Sequence, residues 1–372
     1  MDVLARANAL RQTGVDVAYL CVGQPEAPAP KKALAAARAM LDSGTVGYTD
    51  ANGRLDLRNA LAEYHRDRYG LDINPQHIVV TTGSSAGFNL AFLSLFDPGD
   101  RVAIAAPGYP AYRNILKALS LEVVEIETDE STRWALTPEM LAREHAIAPL
   151  KGVLVASPAN PSGTMMTPDA LQALVQACSD MNIRFISDEI YHGLTYPEDT
   201  GIEECSAARF SDDVIIINSF SKYFCMTGWR VGWMILPEDV VRPVERLAQS
   251  LYISAPELSQ VAARYALDCK DELEIIRQGY RKNRTLLLER LSELGFKDIL
   301  PVDGAFYAYA DCSSFTNDSM HFAHKMLDEA HVAVTPGIDF DPVRGHSRLR
   351  FSFAGSTATM QTALGRLESW LK

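Results

Sequence analysis

Lys222 and Arg230 stand eight residues apart in the run Ser219-Phe220-Ser221-Lys222-Tyr223-Phe224-Cys225-Met226-Thr227-Gly228-Trp229-Arg230-Val231-Gly232. A short β-branched run at 214–217 leads into this segment and an apolar run at 231–236 leaves it. Both read as buried strands. Ends of strands in an open α/β sheet are where ligands collect, so one lysine and one arginine there suit a single anionic ligand. Serines flank the lysine, and aromatic and apolar residues surround the pair. Such a setting desolvates an amine, lowers its pKa and makes it a nucleophile or base. Seen singly, each cation reads first as a solvated surface residue; the flanking serines and the aromatic and apolar surroundings are what favour the other reading.

Further groups lie at the ends of other expected strands. Gly83-Ser84-Ser85-Ala86-Gly87 falls between a strand and a helix. Backbone N–H groups and hydroxyls there suit a phosphate, although serine is also an ordinary N-cap. The same five residues satisfy the Gly-x-Ser-x-Gly elbow of serine hydrolases, with Ser85 as nucleophile and His331 or His346 as a late histidine. That reading lacks a glycine-rich oxyanion loop upstream and leaves Lys222 and Arg230 without a role. Ser219 to Lys222 also matches Ser-x-x-Lys of penicillin-recognising enzymes, but Ser211-Asp212-Asp213 and Met226-Thr227-Gly228 fail as its partner motifs. His321 and His324, at i and i+3, read as a solvated helix face, and no metal site is expected.

The Lys222–Arg230 stretch closely resembles the active-site lysine motif of class I pyridoxal-phosphate aminotransferases, the fold-type I group of the aspartate aminotransferase superfamily. Cys225 departs from the small residue usual there. Other motifs resemble the family in the same chain order: Gly23-Gln24-Pro25, Gly47-Tyr48 with Gly53 and Leu57-Arg58, Tyr109 in Pro107–Tyr112, Asn160-Pro161, Asp188-Glu189-Ile190-Tyr191, and Arg350 in Ser347–Ala354. The resemblance implies an aminotransferase that works in two half-reactions, with an L-amino acid and a 2-oxo acid as substrates. Lys222 would hold pyridoxal 5'-phosphate as an imine and, once freed, move the proton at Cα. Asp188 would face the ring nitrogen, Tyr191 and Asn160 the phenolic oxygen, and Tyr109 the ring face. Ser84, Ser85, Ser219, Ser221 and Arg230 would hold the phosphate, joined by Tyr48 of a second subunit in a homodimer with shared sites. Gly23, Asn160 and Arg350 would meet the substrate, with Arg348 as the alternative carboxylate fork. A β-eliminating C–S lyase on the same scaffold is the alternative chemistry, and aspartate or glutamate with 2-oxoglutarate the family-level substrate guess. The segment ahead of Gly23 is short beside the family's N-terminal arm, which bears on dimer latching.

The chain as a whole must position these residues. Its 372 residues, 47% hydrophobic, suffice for a large core, and a net charge of −12 without basic blocks argues against nucleic acid or an anionic membrane as partner. Six scattered cysteines suit a reducing cytoplasm, and neither a secretion signal nor a membrane span is expected. From residue 78 strands alternate with helices: strands at 78–82, 102–106, 121–126, 153–156, 183–187, 214–217 and 231–236, with helices at 84–96, 111–119 and 168–181. That order predicts an α/β fold with a mostly parallel sheet sandwiched by helices. Helices dominate 240–294, and strands at 305–310, 332–335 and 349–353 predict a smaller α+β domain. Near the N-terminus a strand is expected at 20–22. The expected division is a large cofactor-binding domain, 31–265, and a small domain built from 1–30 and 266–372.

Overall fold

The computed structural model describes residues 2–372. Its strands, in chain order, are β1 (Ala18–Tyr19), β2 (Ile78–Thr81), β3 (Arg101–Ala106), β4 (Glu122–Glu127), β5 (Gly152–Ala156) and β6 (Arg184–Asp188), then β7 (Ile215–Ser219), β8 (Gly232–Ile235), β9 (Tyr307–Asp311), β10 (Val332–Ala333), β11 (Thr335–Pro336) and β12 (Arg348–Ser352). Seven of them form one sheet in the order β2-β8-β7-β6-β5-β3-β4. Within it β8 runs antiparallel to both neighbours and every other pairing is parallel.

The central strands are apolar without interruption because both faces of the sheet are covered. Successive side chains point to opposite faces. Ile215 and Ile217 enter one core with Phe88 and Phe92 of helix Ser84–Leu95 and Val244 of helix Glu238–Leu251. Ile216 enters the other core with Leu171 and Leu174 of helix Pro168–Asp180. The Thr167 hydroxyl caps that last helix, accepting from the Ala170 N–H, as its position in the sequence suggests.

The parallel strands all end on one edge. There Ala156 lies opposite Asp188, and Asp188 opposite Ile217. Because β8 is antiparallel, it begins at this edge: Gly232 pairs with Ser219 on one side and with Thr81 on the other. The loop from Ser219 to Gly232 is thereby folded back over the start of helix Ser84–Leu95.

The chain ends form a separate layer. β1 pairs in parallel with β10, and β11-β12-β9 is an antiparallel sheet. Arg6 pairs with Asp328 and Arg366 with Asp16, fastening the N-terminal segment to the C-terminal helices. Helix Lys270–Glu293 leads into this layer.

Three local expectations change. The strand expected at 20–22 lies at Ala18–Tyr19, while Leu20 continues as irregular backbone bonded to Ala333 and Ser352. The single strand expected at 332–335 is two, since the chain leaves one sheet after Ala333 and joins another at Thr335. Helix Pro138–Ile147 has no counterpart in the sequence reading; only Leu141 of it is buried, so its apolar stripe is too thin to show a period. Among the described residues no helix is long and apolar enough to cross a membrane.

Trp233 in β8 is fully buried, 5.0 Å from the Phe220 ring, and its indole N–H donates to His65 at 3.2 Å. It is the floor under the Lys222 loop. Trp233→Ala is expected to lower the unfolding free energy by about 3–5 kcal/mol, read from urea denaturation of the purified protein.

Candidate active site

Lys222 lies three residues beyond β7, in a loop that closes on itself through Met226 N–H to Phe220 O and Cys225 N–H to Lys222 O. Its ammonium donates to the Gly23 carbonyl at 2.6 Å and stands 5.8 Å from the centre of the Tyr191 ring and 5.9 Å from that of Phe306. No carboxylate pairs with it among the described residues. Burial first, and the Arg350 charge second, bring its pKa down to about 8. The amine therefore loses its proton more readily than an ordinary lysine, as the serines and aromatics around it suggested.

Asp188 ends β6 at 3% exposure. It accepts from the Ile190 N–H at 3.1 Å and from the Tyr112 hydroxyl. Burial raises its pKa to about 6 in spite of both donors, because no cation contacts it. Tyr112 was not singled out in the sequence. It lies buried in the first turn of helix Pro110–Ala118, while Tyr109, the extended N-cap residue ahead of that helix, keeps 40% exposure. The two rings meet edge to face at 5.3 Å.

Arg230 precedes β8 with a positive φ of 51°. Its guanidinium lies against Gly83, where a Cβ would come within 2.4 Å of Nη2. Gly83, at φ 76°, opens helix Ser84–Leu95 with no side-chain cap. The first N–H groups of that helix, the Ser84 hydroxyl and an arginine without a carboxylate partner thus converge, which is the chemistry of an anion site. Ser219 Oγ is 2.8 Å from Ser221 Oγ on the same side of the loop. Ser85 is exposed, and no histidine bonds to it among the described residues; His331 instead caps its own helix, with Nδ1 3.3 Å from the Leu327 carbonyl. The hydrolase constellation is not assembled.

Arg350 sits in β12 at 7% exposure. It donates to Asn160 Oδ1 at 2.9 Å, to the Cys21 carbonyl at 2.8 Å and to Thr335 Oγ1 at 3.2 Å, and its Nε is buried without a partner. Arg348 is different in kind. It pairs with Glu130, faces Asp311 and Asp298, and stacks on Trp134 at 5.4 Å. Of the two arginines that the sequence left open, only Arg350 has a fork not already committed to carboxylates.

Tyr191 is buried with its hydroxyl 3.0 Å from that of Tyr307, a residue that nothing in the sequence set apart from its strand neighbours. Tyr48 stands away from this cluster at 81% exposure. The described residues hold no group of three histidine, cysteine or carboxylate side chains able to bind a metal.

The charge state of Asp188 links to stability. The folded protein holds this proton more tightly than the unfolded chain, so the contribution is complete below about pH 4 and lost as pH rises through about 6. In the cofactor-free protein, Asp188→Asn is expected to flatten the fall in unfolding free energy between pH 4 and 6, measured by urea titrations at several pH values.

Known proteins share this fold. The family model for aminotransferase class I and II matches residues 15–367. A valine–pyruvate aminotransferase of Mycobacterium tuberculosis is 47% identical over all of this chain and 95% of its own length. The crystal structure of an aminotransferase from the same organism superposes with a TM-score of 0.96 at 47% identity, covering 100% of this chain and 95% of that one. Aspartate aminotransferase from Thermus thermophilus with maleate gives 0.92 at 34% identity, covering 100% and 96%. A buried lysine and aspartate at one sheet edge, with two uncommitted arginines beside them, therefore belong to an α/β protein of known kind: the chain is a member of the class I and II aminotransferases, the superfamily of aspartate aminotransferase, and catalyses amino-group transfer between an amino acid and a keto acid.

Proposed function

We propose that the cluster around Lys222 binds pyridoxal 5'-phosphate and that each side chain acts as its position suggests. The observation that carries this is the set of functional groups left without a salt-bridge partner where the second layer meets the sheet edge: Lys222, Asp188 and Arg230 at the edge, and Arg350 from β12. Leaving Lys222, Asp188 and Arg350 desolvated and unpaired is unfavourable unless a ligand completes them, and the exposed Arg230 beside Gly83 is free to take an anion.

Arg230, Ser84, Ser85, Ser219 and Ser221, with the N-terminus of helix Ser84–Leu95, hold the phosphate. Asp188 faces the ring nitrogen and keeps its proton there, and Tyr112 orients the carboxylate. Tyr109 covers the ring. Tyr191 and Asn160 donate to the phenolic oxygen. When bound, the cofactor supplies a carbonyl for amine attachment and a ring that accepts the electron pair released at Cα. Lys222 supplies the attaching amine and, once freed, takes the proton from Cα and returns it. The Gly23 carbonyl is within reach to steady the free amine. Arg350 grips the α-carboxylate with two parallel hydrogen bonds and so fixes which Cα bond faces the ring.

The substrate pair is proposed to follow the 47% identical relative, whose name gives valine and pyruvate, in place of the dicarboxylate pair guessed for the family. Supporting this, the other arginines on this side are committed: Arg133 to Asp303, Arg344 to Asp341, and Arg348 to Glu130. None of these three is thus free to meet a distal carboxylate. The protein is further proposed to be a cytoplasmic homodimer, which the unpaired cysteines and the exposed Tyr48, beside Val46 at 51% exposure, support. In that dimer Tyr48 reaches the partner's phosphate site. Residues 31–265 act as the cofactor-binding domain, and 1–30 with 266–372 as the unit that closes over the substrate.

The visible spectrum tests the central reading. The purified protein with added cofactor is expected to show a yellow band that bleaches with an amino acid and returns with a keto acid. Lys222→Ala should abolish that band and lower turnover by about 10²- to 10⁴-fold. A panel of amino donors ranks valine against aspartate; a preference for aspartate would overturn the substrate assignment. A band that stays while pyruvate and ammonia accumulate would point to β-elimination.

A further inference from the structure

Three parts of the chain that are distant in sequence meet at the hydroxyl of Tyr307. The residue is 1% exposed in β9, and its hydroxyl lies 3.0 Å from that of Tyr191, at the end of the β6 turn. Its ring lies under the guanidinium of Arg350, 4.2 Å from centroid to Cζ. In the antiparallel register Tyr307 faces Ser352 and Arg350 faces Tyr309, so Tyr307 and Arg350 are diagonal neighbours on one face of the sheet. From the N-terminal segment, Gly23 presses on the same point: a Cβ there would lie 1.9 Å from the Tyr307 hydroxyl and 2.9 Å from its Cζ. The ring cannot step aside, because Phe306 at 5.0 Å and Tyr191 at 5.6 Å meet it edge to face and Arg350 covers it.

We propose that Tyr307 is a positioning residue for transamination, whose hydroxyl aims that of Tyr191 and whose ring carries the guanidinium of Arg350. This rests on the reading of Tyr191 and Arg350 given above. If Tyr191 is to donate to the cofactor, its own oxygen is free to accept, and Tyr307 is the donor placed to satisfy it. A donor that is itself held by a donor is polarised and gives a stronger bond. A cation over an aromatic face is held in place by the ring quadrupole. The phenolic-oxygen donor and the carboxylate fork are therefore registered to each other by one side chain. Gly23 is the residue that lets it stand there.

The test separates hydroxyl from ring in the cofactor-loaded enzyme. Tyr307→Phe keeps the ring under Arg350 and removes the hydroxyl. Weaker donation from Tyr191 leaves more negative charge on the ring oxygen to hold the neighbouring proton. The midpoint of the visible-band pH titration is then expected to rise by about 0.5–1 pH unit, with the KM for the amino donor unchanged. Gly23→Ala, which displaces the hydroxyl, should shift the midpoint in the same direction. Tyr307→Leu removes the ring as well and should also raise the donor KM by roughly 5- to 30-fold. A titration of Tyr307→Phe that superimposes on the parent would overturn the proposal, as would a parental KM in Tyr307→Leu. Should the leucine variant fail to fold, the other two substitutions still decide it. A parent enzyme without any Lys222-dependent band would overturn the cofactor reading itself, a result distinct from an unmoved midpoint.

Discussion

The antiparallel insertion of β8 between β2 and β7 is the constraint on which the site depends. A parallel strand would enter the sheet at the opposite edge and carry Arg230 with it. Because β8 reverses, Gly232 lies opposite both Ser219 and Thr81, and the lysine loop and the helix start at Gly83 come together on either side of one residue. The crossing is so close that a Cβ on Gly232 would sit 2.7 Å from the Asn218 carbonyl and 3.1 Å from Ser84 N. Only glycine permits that approach. The glycine of the Arg-Val-Gly run is thus a packing requirement for bringing Arg230 to the start of helix Ser84–Leu95, and Trp233 beside it anchors the loop from below.

Around this crossing, charge is distributed in an uneven way. Most arginines of the protein are committed to carboxylates, for example Arg277 to Glu198 and Glu274, and Arg281 to Asp199. Behind the site, buried Glu204 meets Arg68 at 2.6 Å, and that partner, with nearby His192, outweighs burial and brings its pKa down to about 2. At the sheet edge the same accounting is left open. Asp188 has tyrosine and backbone donors but no cation, and burial drives its pKa upward. Lys222 bonds a carbonyl and has no anion in contact; burial drives its pKa downward, and the nearby Asp188 charge offsets this only in part. Desolvated groups without a counter-ion in contact are primed for a ligand that supplies one.

The second layer contributes through register. β12 alternates its side chains, so Arg350 and Arg348 share a face while Leu349 and Phe351 enter the core. Two residues of separation along the strand then decide their surroundings. Arg348 reaches Glu130 and Trp134, whereas Arg350 reaches Asn160 and the N-terminal segment at Cys21. Through Asn160 and Cys21, the C-terminal sheet, the β5 loop and the chain's beginning are tied to one guanidinium.

Much of this was legible in the chain itself. The β-branched runs at 153–156 and 214–217 announce buried strands because a strand covered on both faces has no room for polar residues. The lysine stretch, Asp188, Asn160 and the two late arginines were visible because their local motifs are unusual in type and spacing. The sequence by itself therefore determined the α/β layering, the lysine and its serine and aromatic setting, and the order of the candidate site residues. What only the tertiary structure decided were the meetings across long separations. These are Arg230 against Gly83, Tyr112 on Asp188, Tyr307 between Gly23, Tyr191 and Arg350, and the pairing of Arg348 but not Arg350 with carboxylates. The reason is physical. Local sequence fixes the period of a strand or helix and hence which face a residue takes, but partner choice depends on which strand ends share an edge and on how close two backbones can come.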